Sequence, residues 1–374
     1  MINHRKEPAG EVSTRAYWFR CLSRFDAGAN WIRNRSLTSF TLLLVALLIT
    51  RAGLFFMPVT NFDTPGELAG TSWSEAASNL WLVLLKVMAV DSRLAYEVLA
   101  VCVLGLSVGV IAWLIHRNQP GVERWLLTIV LLGSLGTVLS GYGRADTFLV
   151  LGAVIFAAGS LRNPAYAITG ALLIALSNKM QSVAMAVALL LLAVLPEFRR
   201  WMKPGLVLLA LGGIAVGVDS LLAAETQRES QIDMFPKYLG ISFENSLQNA
   251  PLLMYALFGV GWIPVVGAML MLGKGKAVVI GVALVAMPAA VMFTTLDGMR
   301  VGVGVSAVPF IVVAMWFFRE ATAGMTTVVQ TRALFALMLV GVLTPAMHVS
   351  SGGVSQPLSY IWFSVNFWFD TFVS

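Results

Sequence analysis

"RWLLTIVLLGSLGTVLSGYGRADTFLVLGAVIFAAGS", residues 124–160, holds two apolar runs joined by a short polar hairpin. The runs, 124–140 and 145–161, come close to the ~20 residues that a helix needs to cross about 30 Å of hydrocarbon. The hairpin between them keeps Arg144 and Asp146 two positions apart in otherwise apolar sequence. Reading outward, the same alternation fills the chain: of 374 residues, 58% are hydrophobic and 12% charged, with mean hydropathy +0.82. A soluble domain has no means of hiding so much apolar surface. In lipid, a helix satisfies its own backbone polar groups. The expected fold class is therefore an all-α polytopic membrane protein.

Windows of about 19 residues give eleven spans, at 37–58, 93–115, 124–140, 145–161, 164–178, 180–197, 204–224, 250–272, 277–296, 301–318 and 331–348. Three regions follow: a basic cytoplasmic segment at 1–36, a transmembrane bundle at 37–348 and an extracytoplasmic polar-aromatic tail at 349–374. With the amino terminus inside, 17 of the 25 Lys and Arg residues fall on the cytoplasmic side, among them Arg117, Arg124, Arg162, Arg199, Arg200, Arg319 and Arg332. That bias predicts N-in, C-out. The net charge of +6 then records topology and does not point to a nucleic-acid partner. Segment 1–36 is polar, basic and long, unlike a secretory signal peptide.

Other patterns exclude chemistry. Cys21 and Cys102 make no disulfide framework, and His4, His116 and His348 lie far apart without ligand spacing. The sequence thus calls for no cofactor and leaves a divalent metal open. "GKGK" at 273–276 is a hairpin with no preceding strand and no following Ser or Thr, so it is not a phosphate loop. "GLSVG" (105–109) and "GIAVG" (213–217) predict close helix packing, and Arg51, late in the first span, is expected to snorkel outward. In the first outer loop, Ala77, Leu80, Trp81, Leu84, Leu85 and Met88 share one face of a helix. This predicts an amphipathic helix over 76–90 lying in the interface plane.

Charges at membrane depth cost about 2.5–3.5 kcal/mol on insertion scales and call for a reason. Five places on the outer side qualify: Asp63, Arg144 with Asp146, Lys179, Asp219, and Asp297 with Arg300. All sit near outer ends of spans, at one depth. Arginine offers a planar fork for phosphate oxygens and lysine a point charge. A carboxylate within hydrogen-bond reach can take a proton from a sugar hydroxyl. Together these suit a substrate that is part lipid and part phosphate.

On these residues the chain resembles the GT-C glycosyltransferases, multi-span enzymes that use polyprenyl-phosphate sugars. "NFDTPGE", followed by the 76–90 helix, resembles the family's first extracytoplasmic loop with its acidic residue. "GYGRADTFLVLG" is similar to its short outer hairpin with an arginine, "SNKMQ" to a hairpin that often carries lysine, and "GMRVGVGVSAVPF" to a late span opening on an arginine. The resemblance covers roughly 38–318. It implies Asp63 or Glu67 as catalytic base, Arg144, Asp146, Lys179, Asp297 and Arg300 as the substrate and phosphate site, and a bacterial-type inner membrane with the active site outside. A polyprenyl-phosphate sugar and a glycan or lipid acceptor would be the partners, with membrane lipid around them. Asp63 stands alone where the family often has an acidic pair. An O-antigen or exopolysaccharide polymerase and a multi-span transporter are the alternatives.

Overall fold

The computed structural model describes residues 9–56, 80–90, 92–226, 246–295 and 297–346, with short pieces at 239, 242–244, 348–350 and 353–355. The described chain is an all-α bundle. Helix α1 (Ala9–Arg33) leads into α2 (Leu37–Ala52), followed by α3 (Leu80–Val87) and the 26-residue α4 (Arg93–Asn118). Then come α5 (Glu123–Leu132), α6 (Ser134–Ser140), α7 (Asp146–Gly159), α8 (Pro164–Ser177) and α9 (Lys179–Leu192). A 3-10 turn (Pro196–Trp201) opens α10 (Met202–Thr226). The remainder is α11 (Ala250–Phe258), α12 (Trp262–Leu272), α13 (Lys274–Gly281), a π-turn at Val282–Ala286, α14 (Met287–Phe293), α15 (Gly298–Ala323) and α16 (Thr327–Leu343).

Among the described residues, five helices are long and apolar enough to cross a membrane, or seven if each of two bent pairs is one span. Four shorter apolar helices, α7, α8, α9 and α16, accompany them. Each of the eleven expected spans overlaps helix among the described residues, but the first and last run past their helices, which end at Ala52 and Leu343, and not each meets a helix of full crossing length. The short ones sit against neighbours that share the burial. Helix α15 is the centre of the bundle: 83% of its apolar window is buried inside the protein, against 28% for α4.

Each bend has a local cause. Helices α5 and α6 meet at 55° across Gly133. A Cβ there would lie 2.2 Å from the Ile129 carbonyl oxygen, a distance no larger residue could tolerate. Helices α1 and α2 meet at 120°. Ser36 starts α2 by accepting from the Ser39 N–H at 3.1 Å. Arg124 fixes the corner from the other side, donating to the carbonyls of Ile32 at 2.8 Å and Arg35 at 2.6 Å. Such carbonyls at a helix C-terminus have no intrahelical partner, and a guanidinium supplies one. Helix α1 then lies along α16, through Phe25 on Phe335 with ring centroids 5.0 Å apart and a two-pronged Arg332–Asp26 bond at 2.6 and 2.7 Å.

Three expectations need correcting. First, the glycine pairs do not pack: a Cβ on Gly105, Gly109, Gly213 or Gly217 would meet nothing within 4 Å. The close approach belongs to Gly152 and Gly170, where a Cβ on either would come within 2.9 and 2.7 Å of the other's carbonyl oxygen. That contact brings the α7 and α8 backbones together. Second, Arg51 does not reach out to water. It is 7% exposed and donates from Nε to the Thr344 carbonyl at 2.6 Å, capping the end of α16. Third, the first-loop helix is described only over Leu80–Val87; it buries Trp81 and Leu85, whereas Met88, expected on the same face, is 57% exposed.

Candidate functional site

Two-residue strands β1 (Phe55–Phe56) and β2 (Gly141–Tyr142) pair in parallel, Phe55 with Gly141 and Phe56 with Tyr142. This joins the exit of α2 to the hairpin that carries Arg144. The first turn of α4 holds the hairpin from below: the Tyr96 hydroxyl donates to the Gly143 carbonyl, and the Tyr142 hydroxyl donates to Glu97 Oε1 at 3.1 Å. Burial pushes the Tyr142 phenol up, and the adjacent Glu97 carboxylate adds to it, so it remains a neutral donor. Trp81 of α3 closes this wall, 5.6 Å from the Tyr96 ring and 5.1 Å from Phe148.

On that platform sit four charges. Arg300 Nη1 donates to Asp146 Oδ2 at 3.2 Å, and Arg300 Nε lies 3.0 Å from Asp297 Oδ2. Arg144 Nη1 stands 3.6 Å from the same Asp297 oxygen. The two helices that begin here, α7 at Asp146 and α15 at Gly298, each direct a positive helix end at these carboxylates. Asp146 thus pairs across the bundle with Arg300 and not with its near neighbour Arg144. Positions i and i+2 do not share a helix face, and α7 carries Asp146 toward α15.

Arg144 is held differently from Arg300. Its contact with Asp297 exceeds hydrogen-bonding distance. Among the described residues its five N–H donors have no hydrogen-bond acceptor, and its side chain is 29% exposed.

Lys179 and Asp219 form a separate pair. Lys179 opens α9, Asp219 lies in α10, and Nζ stands 3.2 Å from Oδ1 with both residues buried. Next to Lys179, Gln181 is 3% exposed; among the described residues neither its amide oxygen nor its nitrogen has a partner. It packs on Gly304 of α15, where a Cβ would fall 2.1 Å from its Oε1. Thr147 Oγ1, one residue after Asp146, is likewise buried without a partner among the described residues. Asp63 and Glu67 lie outside the described residues. Tyr96, Glu97 and Gln181 were not singled out by the sequence, and Trp81 was read only as part of the amphipathic face; the signal for the first two was a polar-aromatic pair just after the helix-starting Ser92.

A groove of about 620 Å³ runs between α2 and α4. Val45, Ile49, Leu104 and Val108 wall it, Gly105 and Gly109 floor it, and Leu54 and Leu139 bring one end to the β1–β2 pair.

These features define the class: an all-α, multi-pass membrane protein with a cross-bundle cluster of arginine and aspartate at one helix-start end. No family model, curated protein or solved structure matches the chain.

Proposed function

We propose that the protein is a membrane glycosyltransferase that moves a sugar from a polyprenyl-phosphate carrier to a glycan or lipid acceptor outside a bacterial-type inner membrane. The observation that carries this reading is Arg144, an arginine with unspent donors, beside Arg300 in a water-accessible cluster at the helix-start end of the bundle. The four charges of the cluster cancel, so the carrier phosphate binds Arg144 by displacing its weak contact with Asp297. Arg300 keeps Asp146 and Asp297 in place during the exchange. The apolar groove between α2 and α4 suits the carrier's hydrocarbon tail, and its Leu54–Leu139 end meets the hairpin of Arg144.

The base comes from the first outer loop, as Asp63 or Glu67. Phe56, paired to Tyr142, is seven residues before Asp63, a tether of at most about 25 Å. In the reaction the acceptor hydroxyl oxygen bonds to the anomeric carbon and gives its proton to the carboxylate. The bond from that carbon to the phosphate oxygen breaks, and the phosphate leaves with the electron pair, its growing charge met by Arg144. The reading includes eleven spans with N-in, C-out orientation, which a reporter fused after Ser374 tests by being active only outside.

The decisive experiment is transfer from a polyprenyl-phosphate sugar by purified Asp63→Asn and Glu67→Gln. Loss of one base lowers turnover by about 10²–10⁴-fold, and Asp63→Asn is expected to be the inactive one. Full activity in both variants would remove the base assignment.

A transporter is the second reading. The buried Lys179–Asp219 pair and the unpartnered Gln181 amide favour it, since intramembrane ion pairs mark substrate and proton routes. Solute uptake into proteoliposomes lost in Lys179→Met, with no sugar transfer in any variant, would select it.

A further inference from the structure

The opposite end of α15 gathers a second set of arginines, and it differs in kind. Arg162, from the turn after α7, donates from Nη1 to the Arg117 carbonyl at 2.9 Å and to Asn118 Oδ1 at 3.4 Å. Arg319, in the last turns of α15, donates from Nη2 to Gln119 Oε1. Gln119 is itself anchored by its Nε2 on the Ala158 carbonyl at 3.0 Å. Two arginines from distant segments therefore grip the three consecutive residues 117–119. The charges that act on Arg319 are those of Arg200 and Arg162, both like its own. Among the described residues, none of the three is paired with a carboxylate within 4.0 Å. All three are exposed.

Guanidiniums that act on one another with the same sign repel unless something negative lies between them. The C-terminal ends of α4, α7 and α15 meet here and supply about half a negative charge each. That offsets roughly half of the three positive charges. The remainder matches one phosphate group.

Arg300 and Arg319 are nineteen residues apart on α15, or about 28 Å at 1.5 Å per residue. This is close to the ~30 Å thickness of a hydrocarbon core. If Arg300 stands at one membrane interface, Arg319 stands at the other, at the level of lipid headgroups.

We propose that Arg162, Arg200 and Arg319 form a binding site for the phosphate of an anionic phospholipid. Arg162 and Arg319 are pre-set by their neutral partners and spend no ordering on capture. Arg200, which makes no hydrogen bond among the described residues, swings onto the phosphate. The site is separate from the Arg144 cluster and does not depend on the reading of that cluster.

The test uses the full chain in nanodiscs, with thermal unfolding and lipid retention read by native mass spectrometry. Phosphatidylglycerol in place of phosphatidylcholine is expected to raise the unfolding midpoint and leave one lipid bound. Arg200→Gln removes no hydrogen bond or ion pair among the described residues and is expected to weaken retention roughly five-fold, the weight of one basic residue at an anionic surface. Arg20→Gln on α1, also exposed, is the matched control and is expected to leave retention unchanged. Equal losses in the two variants would reduce the effect to general surface charge and overturn the site. Inorganic phosphate added to phosphatidylcholine nanodiscs is expected to give no shift. An Arg200-dependent shift with phosphate alone would overturn the lipid assignment in favour of a soluble anion.

Discussion

The two ends of α15 both collect arginines, but only one collects aspartates. At the Arg300 end each guanidinium faces a carboxylate from another element, and Asp146 is 7% exposed. At the Arg319 end the acceptors are two side-chain amides and one backbone carbonyl. The lesson lies in what removal leaves behind. Deleting Arg300 from the first end strands the buried Asp146 carboxylate. Deleting an arginine from the second strands only neutral dipoles, chiefly the buried amides of Asn118 and Gln119.

The sharpest way to break the comparison is to remove the central arginine of each end and compare unfolding in detergent. Arg300→Leu leaves Asp146 uncompensated and should cost about 3 kcal/mol, at the lower edge for buried pairs because Arg300 is 26% exposed. Arg319→Leu should cost less, about 1–2 kcal/mol, the scale of a neutral acceptor left unsatisfied on the buried Gln119. Equal losses would mean that the Asp146 pair is solvated in the membrane.

Lys179 and Asp219 extend the same argument to a fully buried pair. Lys179→Met alone should cost about 3 kcal/mol, and the double variant with Asp219→Leu should recover part of it, the part that belongs to the pair itself. A double variant no better than Lys179→Met would show that interactions other than this pair dominate the site.

A smaller effect is expected at Arg51, which resembles the Arg319 end in using carbonyl acceptors. Arg51→Leu should cost about 1–2 kcal/mol through the lost cap on Thr344. Hydrogen exchange should quicken at the end of α16 and not at its start.

The smallest stability change belongs to Arg144→Lys, expected within about 0.5 kcal/mol because Arg144 makes no hydrogen bond among the described residues. Sugar transfer should nevertheless fall, since lysine keeps the charge but loses the fork. Wild-type transfer in that variant would take Arg144 out of the phosphate site.

Much of the helical layout was legible because it is local. An apolar run of sufficient length forms a helix in lipid wherever it is, and the stretches read from hydropathy coincide with helices from Leu37 to Leu343. The Asp297–Arg300 contact was legible for the same reason, being i, i+3 on one turn. Asp146 was different. Its nearest basic neighbour in sequence is Arg144, yet its partner is Arg300, more than 150 residues away. The glycines misled in the same manner: the regular spacing of Gly105 and Gly109 faces open space, and the isolated Gly152 and Gly170 make the backbone contact. Spacing reports which residues share a face, but not what the face meets.

By itself, then, the sequence determined the helical class, the rough position of each helix and the segments of chain in which Arg144, Asp146, Lys179, Asp219, Asp297 and Arg300 are found among apolar neighbours. These follow from hydrophobic length, a property of each segment alone. Only the tertiary structure decided which charge meets which, that Arg51 caps α16, and that among the described residues the arginines at the Arg319 end have no carboxylate within 4.0 Å. An ion pair requires two atoms within about 4 Å, and that depends on the rotation and neighbours of each helix. Apolar faces that read alike along the chain differ only in where side-chain volume and two glycines let the backbones come together.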